Sequence, residues 1–526
     1  MSAHLAIAPI LIPLFTVALQ LLAGARRRHL APGLGMASCL LLVLVAGTLV
    51  LAVSGPEAGS RTFVYQLGDW PARFAIVLVV DRLSALMLLL TSVLALAVMP
   101  YTLGRWQHMG VHFQPLMQLL LLGLNGAFLT GDLFNLFVFF EVLLAASYGL
   151  ALHGSGSRRT SASLHYIAIN LAASLLFLLG VSLIFGVTGT LNMAMLARKI
   201  PTLPGDTRAL LHAGAALLGM AFLVKTAVWP LGFWLPRTYS AATPPVAAMF
   251  AIMTKLGIYV LLRLSLLLFG ADAGVASAHF GSQWLLVAGM ITLVVGTVGM
   301  LGARELGKLA GYAVLVSSGT LLGAVALQQP AVTAGALAYL VVSVFGIAAF
   351  FLLTGLLVPP DEPEGVGQLE PYDPVGDALY TAEDERRVVK PAPLVALAAC
   401  FLACALLLSG LPPLSGFLAK FALLAPMLQA GPAAVVLFAL IILAGMGTII
   451  AMCRAGIQMF WADTERTLPR VRPAETASVL ALLAICLALT VFAAAPWRYL
   501  SATARQAHTP AQYIQAVLPG SGETPS

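Results

Sequence analysis

Charge is what this sequence has least of: Asp, Glu, Lys and Arg together make up 9% of 526 residues, against 60% hydrophobic residues and a mean hydropathy of +0.96. Soluble domains carry roughly a quarter charged residues, so a chain this apolar cannot cover a water-facing surface. The shortage excludes the ordinary soluble classes and calls for lipid around the chain. The formal net charge of +7 gives no nucleic-acid signal, because the basic residues sit in short loops between apolar runs. Cysteine is scarce too. Cys39, Cys400, Cys404, Cys453 and Cys486 all lie in apolar stretches, none forms a CxxC, and no His/Cys cluster has metal-ligand spacing. They read as buried apolar thiols, with no metal and no cofactor expected. No nicotinamide, flavin or iron–sulfur motif is present, so the chain itself performs no redox step. A leading positive charge is also missing: residues 5–23 are apolar, and Arg26, Arg27 and Arg28 follow them, the reverse of a secretory signal. The first segment reads as a retained helix with its N-terminus outside and the arginines in the cytoplasm.

What is present is apolar length. About twenty apolar residues cross a bilayer. That length predicts helices near 4–22, 32–54, 75–99, 113–130, 133–152, 163–186, 209–229, 243–269, 284–302, 307–327, 331–357, 392–428, 433–460 and 474–494. The fold class is therefore all-α, a polytopic membrane protein of about fourteen transmembrane helices. Two of these are discontinuous. Pro230 and Pro236 interrupt the seventh, and Leu411-Pro412-Pro413-Leu414-Ser415-Gly416 interrupts the twelfth. Backbone freed by such breaks is tolerated in a membrane only where protein or water satisfies it, which is the usual setting of a transport site.

An outside N-terminus places Arg26–Arg28, Arg105, Arg158, Arg159, Arg237, Arg304, Lys308, Arg386, Arg387, Lys390, Arg454, Arg466, Arg470 and Arg472 in the cytoplasm. The outer loops and C-terminal tail hold about half as many, as the positive-inside rule requires. The one long loop, 358–391, is acidic and cytoplasmic in this scheme. It reads either as a solvated linker or as a docking surface for a partner subunit.

Against the apolar background four charges stand out: Glu141, Lys225, Lys255 and Lys420, the last just past the double-proline break. A charge at mid-helix costs roughly 2.5–3.5 kcal/mol on insertion scales, so each is a functional candidate. A lysine in a partly hydrated cavity has its charged form disfavoured, and a nearby carboxylate restores it. A chain of such groups joined by water can load and release protons. The competing reading is a structural Glu–Lys tie between helices. His165 is either a packed or interfacial histidine or a relay. Arg263 reads as snorkelling near a helix end, Asp81-Arg82 as a local ion pair anchoring the third helix, and Asp132 as an N-cap or part of an exit route.

These residues carry a recognisable pattern. The stretch from Gly131 through Asp132-Leu133-Phe134-Asn135 to Phe140-Glu141, with Ser147-Tyr148 after it, resembles the glutamate-bearing fifth helix of antiporter-like subunits. That superfamily comprises the multisubunit monovalent cation/proton antiporters (Mrp/Pha type) and the large membrane subunits of respiratory complex I. Lys225-Thr226-Ala227-Val228-Trp229-Pro230-Leu231-Gly232-Phe233-Trp234-Leu235-Pro236 is similar to its broken seventh helix, Lys255-Leu256-Gly257 through Arg263 to its eighth, and Leu411-Pro412-Pro413 through Lys420-Phe421 to its broken twelfth. The ordered set spans roughly 75–460. The runs Tyr166–Ser174 and Gly186–Ala194 resemble the D-type subunit of these antiporters, and His165 with the acidic insertion resembles the variant described as a potassium/proton antiporter.

The resemblance implies a proton path through Glu141 and Lys225, continued by Lys255 and Lys420. It also implies two inverted five-helix repeats, near helices 4–8 and 9–13, and an antiporter-type transmembrane core at 111–428 with helices at 1–110 and 429–526 on either side. Its implied partners are other antiporter subunits in a membrane complex, with protons and K+ or Na+ as the transported ions, at the cell (inner) membrane. Two departures matter. Gly232 stands where the family often has a histidine, and the eleventh helix offers only Ser343 where a histidine or lysine is usual. A path from Lys255 to Lys420 then relies on water and hydroxyls such as Ser343 and Thr354. The rival reading is a proton-pumping membrane subunit of an NADH:quinone oxidoreductase-like or membrane hydrogenase complex, whose redox chemistry would reside in partner subunits.

Overall fold

The computed structural model describes residues 3–23, 30–55, 62–70, 76–103, 112–154, 156–357, 391–461 and 472–518. The expectations for Arg26–Arg28, Arg105, the acidic loop at 358–390, Arg466 and Arg470 lie outside the described residues. Helices dominate. The first half of the chain holds α1 (Ala8–Ala23), α2 (Leu30–Val53), α3 (Arg82–Thr102), α4 (Phe113–Leu129), α5 (Leu133–Ala151), α6 (Ser157–Thr188), α7 (Met193–Lys199), α8 (Gly205–Lys225), α9 (Trp234–Ala241) and α10 (Pro244–Leu267). The second holds α11 (Ser282–Gly302), α12 (Leu306–Ala326), α13 (Pro330–Leu357), α14 (Pro391–Ser409), α15 (Ser415–Met427), α16 (Pro432–Phe460), α17 (Pro473–Val491), α18 (Ala494–Ala507) and α19 (Pro510–Val517).

Eleven of these helices are long and apolar enough to span a bilayer. The shorter α1 and α4, with α14 and α15 as one crossing in two pieces, bring the number to the expected fourteen, so the protein is a multi-pass membrane protein. Helices α10, α12 and α13 are apolar on nearly every side and almost wholly buried, as an all-round hydrophobic helix must be. They form the centre. Helices α2, α6, α8, α11, α16 and α17 keep one apolar face outward. Small residues let neighbouring backbones close up: a Cβ at Gly180 on α6 would lie 2.7 Å from the Gly214 carbonyl oxygen on α8.

The set α4, α5, α6, α8/α9 and α10 and the set α11, α12, α13, α14/α15 and α16 each break at the fourth crossing. Five crossings are an odd number, so the second set starts on the opposite face from the first. That is inverted topology, as the resemblance implies.

The third helix differs from expectation. Val77–Val80 is a strand, β2, paired antiparallel with β1 (Phe63–Gln66) in the register Phe63↔Val80 to Gln66↔Val77. A valine-rich run favours an extended backbone, and Asp81 then starts α3. Its Oδ1 accepts from Ser84 N at 2.8 Å, while Ser84 Oγ accepts from Asp81 N at 2.9 Å, a capping box that fixes the helix start at Arg82. Two further elements went unpredicted. Amphipathic α18 packs over α3, α10 and α13, and α19 packs against α7 and β1, with Tyr499 Oη donating to Arg82 O at 2.8 Å and His508 Nε2 lying 2.9 Å from Thr333 Oγ1.

Candidate functional site: a row of buried lysines

Lys225 is the last residue of α8, where the helix gives way to non-helical backbone at 226–233. Ala227 takes a left-handed conformation (φ 57°), and the chain doubles back so tightly that a Cβ at Gly232 would fall 1.9 Å from the Ala227 carbonyl oxygen. No side chain fits there, so the glycine that replaces the family's histidine belongs to a loop that requires it. The Lys225 ammonium is buried, has no hydrogen-bond partner on the protein, and lies 5.0 Å from the Phe140 ring centroid, a cation–π distance.

Glu141, beside Phe140, is half-buried and accepts from Ser174 Oγ at 2.5 Å. Among the described residues no ion pair joins it to Lys225; the two act on each other through space. Ser174 holds the carboxylate instead. The α5 face below Glu141 carries Tyr148, seven residues on, whose ring packs at 5.3 Å against Tyr166; Tyr166 Oη and Ser147 Oγ are 2.7 Å apart.

Thr226, next to Lys225, presses on α10 two residues past Lys255: a Cβ at Gly257 would lie 2.4 Å from Thr226 Cγ2. Lys255 is fully buried, and its ammonium has no protein hydrogen-bond partner. The Pro244 end of α10 meets Gly355 of α13, where a Cβ would lie 2.4 Å from Pro244 Cγ. Lys255 stands eleven residues from Pro244 and Ser343 twelve from Gly355, so at about 1.5 Å per residue the two share a depth of about 16–18 Å from that contact. Ser317 Oγ donates to Ser343 Oγ at 3.1 Å.

Beyond Ser343 a cavity of about 20 Å³, enough for one water, is lined by Tyr339, Ser343, Leu407, Leu408, Gly416 and Thr448 among others. Leu408 O and Ser409 O accept from Lys420 Nζ at 3.2 and 2.7 Å. Lys420 thus satisfies carbonyls freed at the C-terminal end of α14, where a cation is favoured.

The remaining candidates lie elsewhere. Asp132 caps α5 through Oδ1, accepting from Phe134 N at 2.8 Å and Asn135 N at 3.0 Å. His165 is exposed on α6, with Nδ1 2.9 Å from Ser161 O. Thr354 is buried, but its hydroxyl is spent on Phe351 O at 2.7 Å. It sits beside Gly355, eleven residues and about 16 Å below Ser343, and not between Lys255 and Lys420. Arg263 does not snorkel. It forms an ion pair with Asp81 through both guanidinium NH2 groups, so the pairing expected of Asp81 with Arg82 goes to a helix 182 residues away, and Arg82 lies over the Tyr499 ring at 5.5 Å.

Buried polar atoms almost always find partners. Here Tyr148 Oη, Lys225 Nζ, Trp234 Nε1, Lys255 Nζ, Ser318 Oγ and Ser415 Oγ have none on the protein. Five of the six lie on α5, the α8/α9 break, α10 and α15, elements that carry the charged row, and Ser318 lies on α12; the side-chain oxygens of Gln20, Thr91, Gln114 and Asn125, on α1, α3 and α4, are also unpartnered. Groups of this kind bind buried water.

This arrangement has known counterparts. The family described as NADH:quinone oxidoreductase/Mrp antiporter, TM, matches residues 130–447, a range that contains Asp132, all three lysines and both helix breaks. The chain belongs to this family. Within it, the chain is 51% identical over 98% of its length to a protein of Rhizobium meliloti named as the probable D-type subunit of a K(+)/H(+) antiporter, covering 97% of that protein. It is 33% identical over 98% of its length to the D-type subunit of a Na(+)/H(+) antiporter of Alkalihalophilus pseudofirmus, covering 99% of it. A chain in the structure of the Mrp complex from Dietzia sp. DQ12-45-1b superposes with a TM-score of 0.83 at 28% identity, over 98% of this chain and 100% of that one.

Proposed function

We propose that this chain is the proton-translocating subunit of a multisubunit monovalent cation/proton antiporter, a secondary transporter subunit and not an enzyme. The observation that carries the reading is the row of three buried lysines at two helix breaks and on the central α10, two of them with no protein partner. Protons would load at Glu141 and Lys225, pass the Thr226–Gly257 contact to Lys255, and cross by Ser317, Ser343 and the water-sized cavity to Lys420. Ser174 and Tyr148 join this path as the donor that holds Glu141 and the hydroxyl on its face. Thr354 and His165 stand apart from it, and Asp132 serves as a cap.

The antiporter relatives named for K+ and Na+ make either ion a candidate for the exchanged cation. The domain division at 110 and 428 and an outside N-terminus complete the proposal, with the Asp132 end outside and the Glu305 end in the cytoplasm. Glu141 is half-buried at membrane depth, a position costly against lipid, so the α5 face that bears it suits contact with a neighbouring subunit. The test is exchange in vesicles containing the chain with its partner subunits. Adding K+ or Na+ should dissipate an imposed pH gradient, and vesicles containing the chain alone should show none. Robust exchange by the lone chain would overturn the assembly claim.

A further inference from the structure

Helix α10 carries more than Lys255. Tyr259 and Arg263 follow at four-residue intervals, which puts all three on one helix face. At the end of that face the guanidinium of Arg263 takes Asp81 in a two-point ion pair and also donates to Tyr259 Oη at 3.1 Å. Tyr259 Oη in turn donates to Phe128 O at 2.6 Å. The Tyr259 and Tyr513 rings lie 5.4 and 5.3 Å from the guanidinium carbon. Behind the pair a cavity of about 20 Å³ opens between Asp81, Arg263, Gln506 and Tyr513, under α18 and α19. The charged and titratable groups facing the pair are Tyr259 on its own helix, Arg82 beside Asp81, Tyr499 on α18 and Tyr513 on α19, with Asp132 at the start of α5 acting on Tyr513.

We infer that the Asp81–Arg263 ion pair is a positioning element for proton transfer at Lys255, switching the charge that α10 presents to that lysine. The inference rests on the proposed proton path through Lys255. Eight residues separate Lys255 from Arg263, about 12 Å along the helix. While Asp81 holds Arg263, their charges nearly cancel at that range. Once the pair opens, a full positive charge on the same helix face disfavours the protonated form of Lys255 and drives its proton onward. The carboxylate that controls this belongs to a different element, at the joint of β2 and α3, so the state of the outer surface is coupled to the centre of the membrane.

The assay is exchange by the complete complex in vesicles, normalised to assembled complex and followed across pH. Asp81→Asn keeps the α3 cap, because Asn serves as well as Asp there, but leaves Arg263 unneutralised. The pH profile should move about one unit to lower pH, the size expected for a unit charge about 12 Å away at an effective dielectric of about 20. The double variant Asp81→Asn/Arg263→Gln removes both charges and should bring the profile back towards that of the wild type. An unmoved profile in Asp81→Asn, a double variant as displaced as the single, or loss of assembled complex in both would mark the pair as a strut and overturn the inference. Lys255→Ala in the same assay tests the underlying path separately: normal exchange there refutes the path itself, whatever the Asp81 variants do.

Discussion

Asp132 shows how a charged residue near a membrane face is sorted by geometry. One carboxylate oxygen takes the N–H groups of Phe134 and Asn135, donors that the first turn of α5 leaves without helical partners. Asn does the same work without a charge. Asp132→Asn should keep exchange per assembled complex within about two-fold of the wild type, and Asp132→Ala should lower the amount of complex through a loss of about 1 kcal/mol. Quantified immunoblots alongside exchange measurements check both. Abolished exchange in Asp132→Asn at normal abundance would make the carboxylate a proton carrier. Glu141 and the lysines were legible in the sequence because a charge inside an apolar run is expensive wherever it lies. The true partner of Asp81 was not, since Arg263 is 182 residues away and an adjacent Arg82 offered a local explanation. Ser174 was equally hidden: a serine on an apolar helix signals nothing until the fold brings Glu141 within 2.5 Å.

At the level of elements, the prolines announced both broken helices, because proline removes a donor and clashes with the preceding turn. The β1–β2 hairpin was masked by its own hydrophobicity: Val77–Val80 extended the apolar run of the third segment, and length alone does not separate a buried strand from a helix turn. Helices α18 and α19 were missed because they are amphipathic, not spanning, and gain stability by packing, α18 across α3, α10 and α13 and α19 against α7 and β1. His508 joins α18 to α19 beside Thr333, and burial pushes its imidazole down from 6.5 to about 4. A depressed histidine contributes stability that is full above its unfolded value and drains away as pH falls from about 6.5 towards 4. Hydrogen exchange at residues 494–517, corrected for its intrinsic pH dependence, should show protection falling over that window. In His508→Gln the fall should be absent. An identical fall in both proteins would place the pH response elsewhere.

For the molecule as a whole, fourteen crossings and the proposed orientation place both chain termini outside, and the Asp132 and Glu305 ends of the bundle in two different compartments. A cysteine introduced at Gln368 should react with an impermeant reagent only from the cytoplasm and one at Asp272 only from outside; the reverse pattern would invert the orientation. The row of lysines joins those compartments, and its claim is most exposed at Lys225, which ends a half-helix with no protein partner for its ammonium. The most direct measurement is cation-driven dissipation of a pH gradient by the complete complex carrying Lys225→Ala, divided by the amount of assembled complex. Assembly should persist and normalised exchange should be abolished. Glu141→Ala should behave likewise, and Glu141→Asp should keep partial activity with a displaced pH optimum. Reduced assembly with near-normal normalised exchange in Lys225→Ala would make this lysine a strut and contradict the proton path.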